Sequence, residues 1–152
     1  MRILDDINNR SYNRDDNERS IYKKVDLLNL STKRINELVS YGFKQINLDN
    51  SFKYVYISKP VAFEADKLVG SARFEDRKTN NWIEYLDDIQ KMYLFDRLSN
   101  IEEILINPLW DMYPEVILYK GEYYIGQDGK HRLTLAKCLG NKNVKVIIKE
   151  VK

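Results

Sequence analysis

The sequence predicts an α+β domain, a small mixed β-sheet with flanking helices whose N-terminal half is largely helical. Three observations carry this. Apolar residues recur at three- and four-residue spacing through residues 21–42 and again from Asn81, the period of helices buried along one side. Runs rich in β-branched and aromatic residues stand at 52–63, 115–125 and 144–151, as strands require. A Lys120-Gly121 pair between two such runs fits a two-residue hairpin. At 152 residues the chain has the length of one domain, enough to bury about two-thirds of its unfolded surface. We read residues 1–50 as a mainly helical N-terminal extension and 51–152 as the α+β core.

The elements follow in order. The first twenty residues are polar and rich in Asn, Asp and Arg, a frayed helix or a flexible lead-in. "SIYKKVDLLNL" sets Ile21, Val25 and Leu28 at helical spacing. In "LSTKRINELVSYGF", Ser31 suits an N-cap, Ile35, Leu38 and Val39 share a face, and Gly42 suits a left-handed helix end. These two helices resemble a helix-turn-helix in spacing only. Lys33 and Arg34 are the only bases the second would expose, so a packing role is the better reading. "FKYVYISKPVAF" reads as a strand stopping near Pro60, and "VGSARFEDRKTNN" as a polar connection, the best candidate for a mobile loop. From Asn81 a helix places Trp82, Leu86, Ile89 and Tyr93 on one stripe with acids opposite. "IEEILINP" suits a short helix or a strand ending at Pro108. "EVILY" and "EYYIGQ" make the hairpin. "KHRLTLAKCLG" is a helix with Leu135, Cys138 and Leu139 inward and Gly140 closing it. The final strand turns Val144, Val146 and Ile148 to one face.

Composition narrows the function. The longest apolar runs are strand-sized, too short for a membrane span. The N-terminus lacks the apolar core of a signal peptide, so a cytoplasmic protein is expected. The lone cysteine, Cys138, cannot make an internal disulfide, and no Cys/His spacing resembles a zinc site. Net charge is +2 but uneven: from Lys120 onward eight cations face three acids, +5, leaving −3 for the first 119 residues. The anion-attracting end is therefore the C-terminal one, although lysines on strand edges also discourage aggregation.

That end holds "QDGKHR". A helix starting just after a strand exposes amide N–H groups and the positive end of its dipole. Gly129 would let a ligand approach the backbone. Lys130 supplies a point charge, Arg132 a fork for two phosphate oxygens, and His131 a donor or proton carrier. Thr134 could add a hydroxyl from the first turn. The same residues allow a plainer account. Asp128 could cap the helix itself, leaving Lys130 and Arg132 around a finished N-terminus and His131 bonded to a backbone carbonyl.

"GKHRLTLAKCLG" followed by a Val/Ile-rich strand resembles the signature segment of the ParB/sulfiredoxin superfamily. The matching positions are Gly129, His131, Arg132, Ala136, Leu139 and Gly140, and "PEVILYKGEYYIGQ" fits the hairpin those proteins place upstream. The resemblance covers Pro114 to Val151, about a quarter of the chain. It implies a ParB/sulfiredoxin-like C-terminal part that holds nucleotide phosphates at this turn, as CTP-binding partition proteins, ATP-dependent sulfiredoxins and free-serine kinases do. Gly129, Lys130, His131, Arg132 and Thr134 would bind the ligand; His131 and Asp128 would be the catalytic pair, with ATP or CTP and Mg²⁺ as cofactors. The sulfiredoxin branch falls away, because Lys130 stands where its cysteine would be. Asp128-Gly129-x-His131-Arg132 looks closer to the kinase-like and DNA-modification-associated branches.

Three functions are therefore expected in turn. The first is a nucleotide- or phosphate-binding protein, an ATP- or CTP-dependent phosphotransferase or NTP hydrolase. The second is a DNA-binding protein or nuclease of the ParB-like class, its basic C-terminal third meeting phosphates and its eleven tyrosines offering stacking surfaces. The third is a protein-interaction module with a vestigial phosphate turn, from a mobile element. Glu64, Asp66, Glu102 and Glu103 are the carboxylates considered for orienting an acceptor.

Overall fold

Side-chain caps and buried stripes set the helices. The computed structural model describes residues 2–11, 20–48, 53–89, 113–140 and 144–152. Helix α1 (Arg2–Arg10) buries Leu4 and Ile7, so the polar lead-in is tied down by two apolar residues one turn apart. Helices α2 (Ile21–Leu27) and α3 (Thr32–Ser40) begin at Ser20 and Ser31, whose hydroxyls accept from the amides of Lys23 and Arg34. After α3, Gly42 takes the expected left-handed conformation, φ 70°. Helix α4 (Trp82–Asp87) is capped by Asn81 accepting from the Glu84 amide. Helix α5 (Lys130–Leu139) lies between two left-handed glycines, Gly129 and Gly140. Leu135 and Cys138 point inward as expected, but Leu139 is exposed.

The strands are β1 (Lys44–Gln45), β2 (Tyr54–Ile57), β3 (Val61–Phe63), β4 (Leu68–Ser71), β5 (Glu115–Tyr119), β6 (Glu122–Ile125) and β7 (Val144–Val151). They form one mixed seven-stranded sheet in the order β1-β4-β6-β5-β7-β2, with β3 also on β7. The strand read as stopping near Pro60 is β2, and β3 follows it beyond the proline, both lying antiparallel along the outer edge of β7. Pro60, which has no N–H to give, sits in the break. Ser58 bridges that break: its amide donates to the Ile148 carbonyl, and its hydroxyl accepts from the Ile148 amide, each at 2.8 Å. The hairpin β5–β6 forms as read, with Lys120 and Gly121 both at positive φ.

Strands β1, β4 and β6 are mutually parallel. Their carboxyl ends lie together, joined by Ile46 N–H to Ser71 O (3.0 Å) and Ala72 N–H to Ile125 O (2.9 Å). Strand β4 takes in the first three residues of the stretch read as a connection, Val69 to Ser71. Its Gly70 is required by close approach, because a Cβ there would collide with the backbone of Lys44 on β1. The buried residues of all five helices join one cluster with Phe63, Leu68, Val116, Ile125, Val144 and Val146. The other face carries a smaller cluster of Ala72, Ile117, Tyr124 and Val151, packed by Ile46 and Leu48. The α+β class with a small mixed sheet and flanking helices is therefore what the chain adopts. Tyr93 and "IEEILINP" fall outside the described residues. Among the described residues no helix is long and apolar enough to cross a membrane.

Candidate functional site

The turn from β6 into α5 is shaped by its backbone. Glu115 O accepts from the Gly126 amide, and the Glu115 amide donates to Asp128 O, both at 2.9 Å. Gly129 then stands at the N-cap with φ 96° and has no side chain to offer the first turn. A Cβ at Gly129 would press on Pro114, so both conformation and space demand glycine here. Asp128 is exposed and does not cap the helix, contrary to the plainer sequence account. His131 and Arg132 are half-buried in the first turn. Thr134 is fully buried and its hydroxyl donates to Lys130 O at 2.5 Å. That places Thr134 inside the helix packing and out of reach of a surface ligand.

Lys130 turns inward. Its ammonium contacts Asp76 Oδ1 at 3.1 Å and Asp88 Oδ2 at 3.3 Å, and lies 4.8 Å from the Tyr85 ring centre. Asp76, whose side chain is 2% exposed, is the hub. Its Oδ2 accepts from Ser71 Oγ at 2.6 Å and from the Tyr85 hydroxyl, and its Oδ1 also accepts from Arg73 Nε at 3.2 Å. Arg73 reaches on to the carbonyls of Gly126 and Gln127. The segment read as a mobile loop is thereby stapled to the turn that precedes α5. Arg77 completes the set, 3.2 Å from Asp88 and 3.7 Å from Asp87, which accepts from Ser11 Oγ at 3.0 Å. Asp76, Asp87 and Asp88 thus balance Arg73, Arg77 and Lys130.

Burial alone would push the Asp76 carboxyl up. The hydrogen bonds from Ser71 and Tyr85 and the Lys130 ammonium outweigh it and hold Asp76 below the usual carboxylate range. Burial and the neighbouring Asp76 carboxylate push the Tyr85 phenol well above its ordinary value. Each shift predicts a limb of the stability profile. With its folded value depressed, Asp76 contributes stability above about pH 4 that is lost as pH falls through that folded value. With its folded value raised, Tyr85 contributes stability that is full below about pH 10 and declines at higher pH. Urea midpoints measured from pH 2 to 11 should fall at both ends. Asp76→Asn should remove much of the acid limb; an unchanged limb would show that Asp76 does not supply it.

The far end of α5 is structural. Arg34, read as an exposed base, donates to Cys138 O and Asp66 Oδ1 at 3.0 and 2.9 Å, and to Lys137 O. It therefore caps the last carbonyls of α5 rather than facing a groove. Lys137 is buried with its ammonium near the rings of Tyr41 and Trp82. Cys138 is buried and its thiol is pushed up to about 12 by burial, so it packs rather than reacts.

The structure therefore brings Gly129, Lys130, His131 and Arg132 together and sets Thr134 behind them. Among the described residues the carboxylates facing Lys130 are Asp76 and Asp88; of the acids singled out from the sequence, Glu64 is exposed, Asp66 pairs with Arg34, and Glu102 and Glu103 lie outside the described residues. Asp88 was visible only as one of the acids on its helix, and Asp76 carried no local signal. In class, this is an α+β domain with helices on one face of a mixed sheet and a charged network at the carboxyl ends of three parallel strands. The chain matches no protein-family profile, no curated protein and no solved structure.

Proposed function

We propose that the chain binds the phosphates of a nucleotide, or another phosphorylated ligand, at the first turn of α5. One observation carries the reading. Helices α2, α3 and α4 each begin with a side chain on a first-turn amide, whereas α5 begins at a left-handed glycine with none. Such an end offers donors and a positive dipole to an anion. Arg132 and His131 share that turn, and Arg73 holds the turn from behind. In this reading Gly129, His131 and Arg132 meet the ligand, while Lys130 ties the turn to Asp76.

The guest we favour is ATP or CTP with Mg²⁺, used by a phosphotransferase or NTP hydrolase. Among the described residues no three His, Cys, Asp or Glu side chains group to hold a metal by themselves. Asp128, exposed beside Gly129, is the carboxylate available to a metal that arrives with phosphates. His131 is the turn's group able to carry a proton near neutral pH.

A thermal-shift titration tests this. Wild-type protein with Mg²⁺ and ATP or CTP at a hundredfold excess over Kd should gain about 2.7 kcal/mol, read as a raised Tm. Arg132→Ala should lose most of that gain, measured against its own ligand-free Tm. No shift in wild type, or an equal shift in the variant, would refute the reading.

A further inference from the structure

A cavity of about 470 Å³ opens beside the charged network, lined by Phe43, Gln45, Asp76, Lys78, Thr79 and Asn80. It lies where β1 and β4 end, next to the β6 end that supplies the α5 turn. Crevices at the carboxyl ends of parallel strands are where ligands bind in open sheets, and this volume is in the range of small-molecule sites. Asp76 is common to both places: it lines the cavity and accepts from the Lys130 ammonium at 3.1 Å. The cavity and the first turn of α5 are therefore joined through one ion pair, Asp76 with Lys130.

The walls are set before any ligand arrives. Gln45 is fixed at both ends of its amide, Nε2 donating to Arg77 O at 2.8 Å and Oε1 accepting from the Thr79 amide at 2.9 Å. Asp76 has all its acceptor sites filled. The groups left for a guest are the Phe43 ring, the exposed Asn80 and Lys78 side chains, and Thr79. Thr79 is 4% exposed and its hydroxyl has no partner among the described residues, an arrangement that costs stability unless something meets it. A second phosphate is a poor fit, because only Lys78 is cationic and the Asp76 carboxylate opposes it. A purely apolar guest would strand the carboxamide and the hydroxyl. A planar heterocycle with donors and acceptors on its edge suits both the ring and the polar groups, as flipped or free bases are held elsewhere.

We propose that this cavity seats the base of the nucleotide whose phosphates lie at the first turn of α5, so that the ligand is a whole nucleotide and not a simple phosphate ester. The inference rests on the phosphate reading above, and the test separates the two. Calorimetric titration of the full chain would use MgATP, MgCTP and Mg²⁺ with inorganic tripolyphosphate. One of the two nucleotides should bind at least tenfold more tightly than tripolyphosphate. Asn80→Ala and Thr79→Val should each remove most of that margin and leave tripolyphosphate affinity unchanged. Thr79→Val should do so without lowering Tm, since it deletes a hydroxyl that has no partner. If nucleotides and tripolyphosphate bind alike and neither variant matters, the base seat is overturned and the phosphate turn stands. If wild-type protein binds none of the three, both are overturned.

Discussion

Lys24→Ala should cost the fold about 3–5 kcal/mol, the range for breaking a buried ionic arrangement by removing one partner. Lys24 is a fully buried residue of α2. Its ammonium donates to the carbonyls of Leu86, Asp87 and Ile89 at 3.1, 2.5 and 2.5 Å. They cluster at the closing end of α4, where the negative end of its dipole lies, and the Leu86 carbonyl also accepts from the Ile89 amide at 3.2 Å. An ammonium has three donors, and here each finds an acceptor. Burying a cation is itself costly, so the sign depends on what remains after it is gone. The Asp87 and Ile89 carbonyls would lose this donor and the Leu86 carbonyl would keep the Ile89 amide, at about 1–3 kcal/mol for each buried group left unmet, which outweighs the desolvation recovered. Lys24→Met separates the terms: it keeps the methylene packing and should still lose most of the stability. Urea denaturation followed by circular dichroism measures both variants. A loss below about 0.5 kcal/mol, the size of an ordinary surface change, would mean that the ammonium does not hold α4.

The same contact bears on where the described part of α4 closes. Its apolar stripe was readable, and Trp82, Leu86 and Ile89 are buried as the spacing requires. The described helix nevertheless closes at Asp87, where a lysine from 62–65 residues earlier in sequence takes its carbonyls. Period alone cannot report a cap that arrives from another element. Strand β4 escaped for a related reason. Val69, Gly70 and Ser71 have little local strand character, and Gly70 is there because β1 passes too close for a side chain. By contrast, Ser31, the Lys120-Gly121 turn and Gly140 act through bonds within a few residues, so their chemistry was legible.

The turn at Gly129 was half legible. Its glycine, its place between strand and helix, and the cluster of Lys130, His131 and Arg132 follow from local order. Where Lys130 points does not. The lysine looked free because its partners lie 54 and 42 residues upstream, in a segment whose polarity suggested a loose connection. Polar composition was the wrong guide there, since Asp76 and Arg73 spend their charges inside the protein. The acids of α4 likewise looked like a solvated face, yet Asp87 is buried against Ser11. Burial raises its carboxyl, with the Ser11 hydrogen bond opposing.

Asp76→Ala should be the most damaging change at the site, about 3–5 kcal/mol. It would leave the Arg73 guanidinium and the Lys130 ammonium short of a counter-charge, and the Ser71 and Tyr85 hydroxyls without their acceptor. Asp76→Asn keeps the shape but not the function of the group. One carboxylate oxygen becomes an NH₂, which must face either two hydroxyl donors or two cations, so the loss should approach that of alanine. The decisive measurement is a double-mutant cycle with Lys130→Met. If the two side chains are partners, the double variant should lose about 1–3 kcal/mol less than the sum of the singles, the coupling expected of residues in one network. Part of the Lys130 charge remains with Asp88, which caps the recovery. Additivity within about 0.5 kcal/mol would instead mean that the pair does not interact, and that Lys130 belongs to the solvent side of the turn. That outcome would also reverse the division of labour at α5. Lys130 would then be available to a phosphate at the turn, and Arg73 alone would hold loop 72–81 to it. Coupling, on the other hand, makes Asp76 the link through which the cavity and the start of α5 are held in fixed relation.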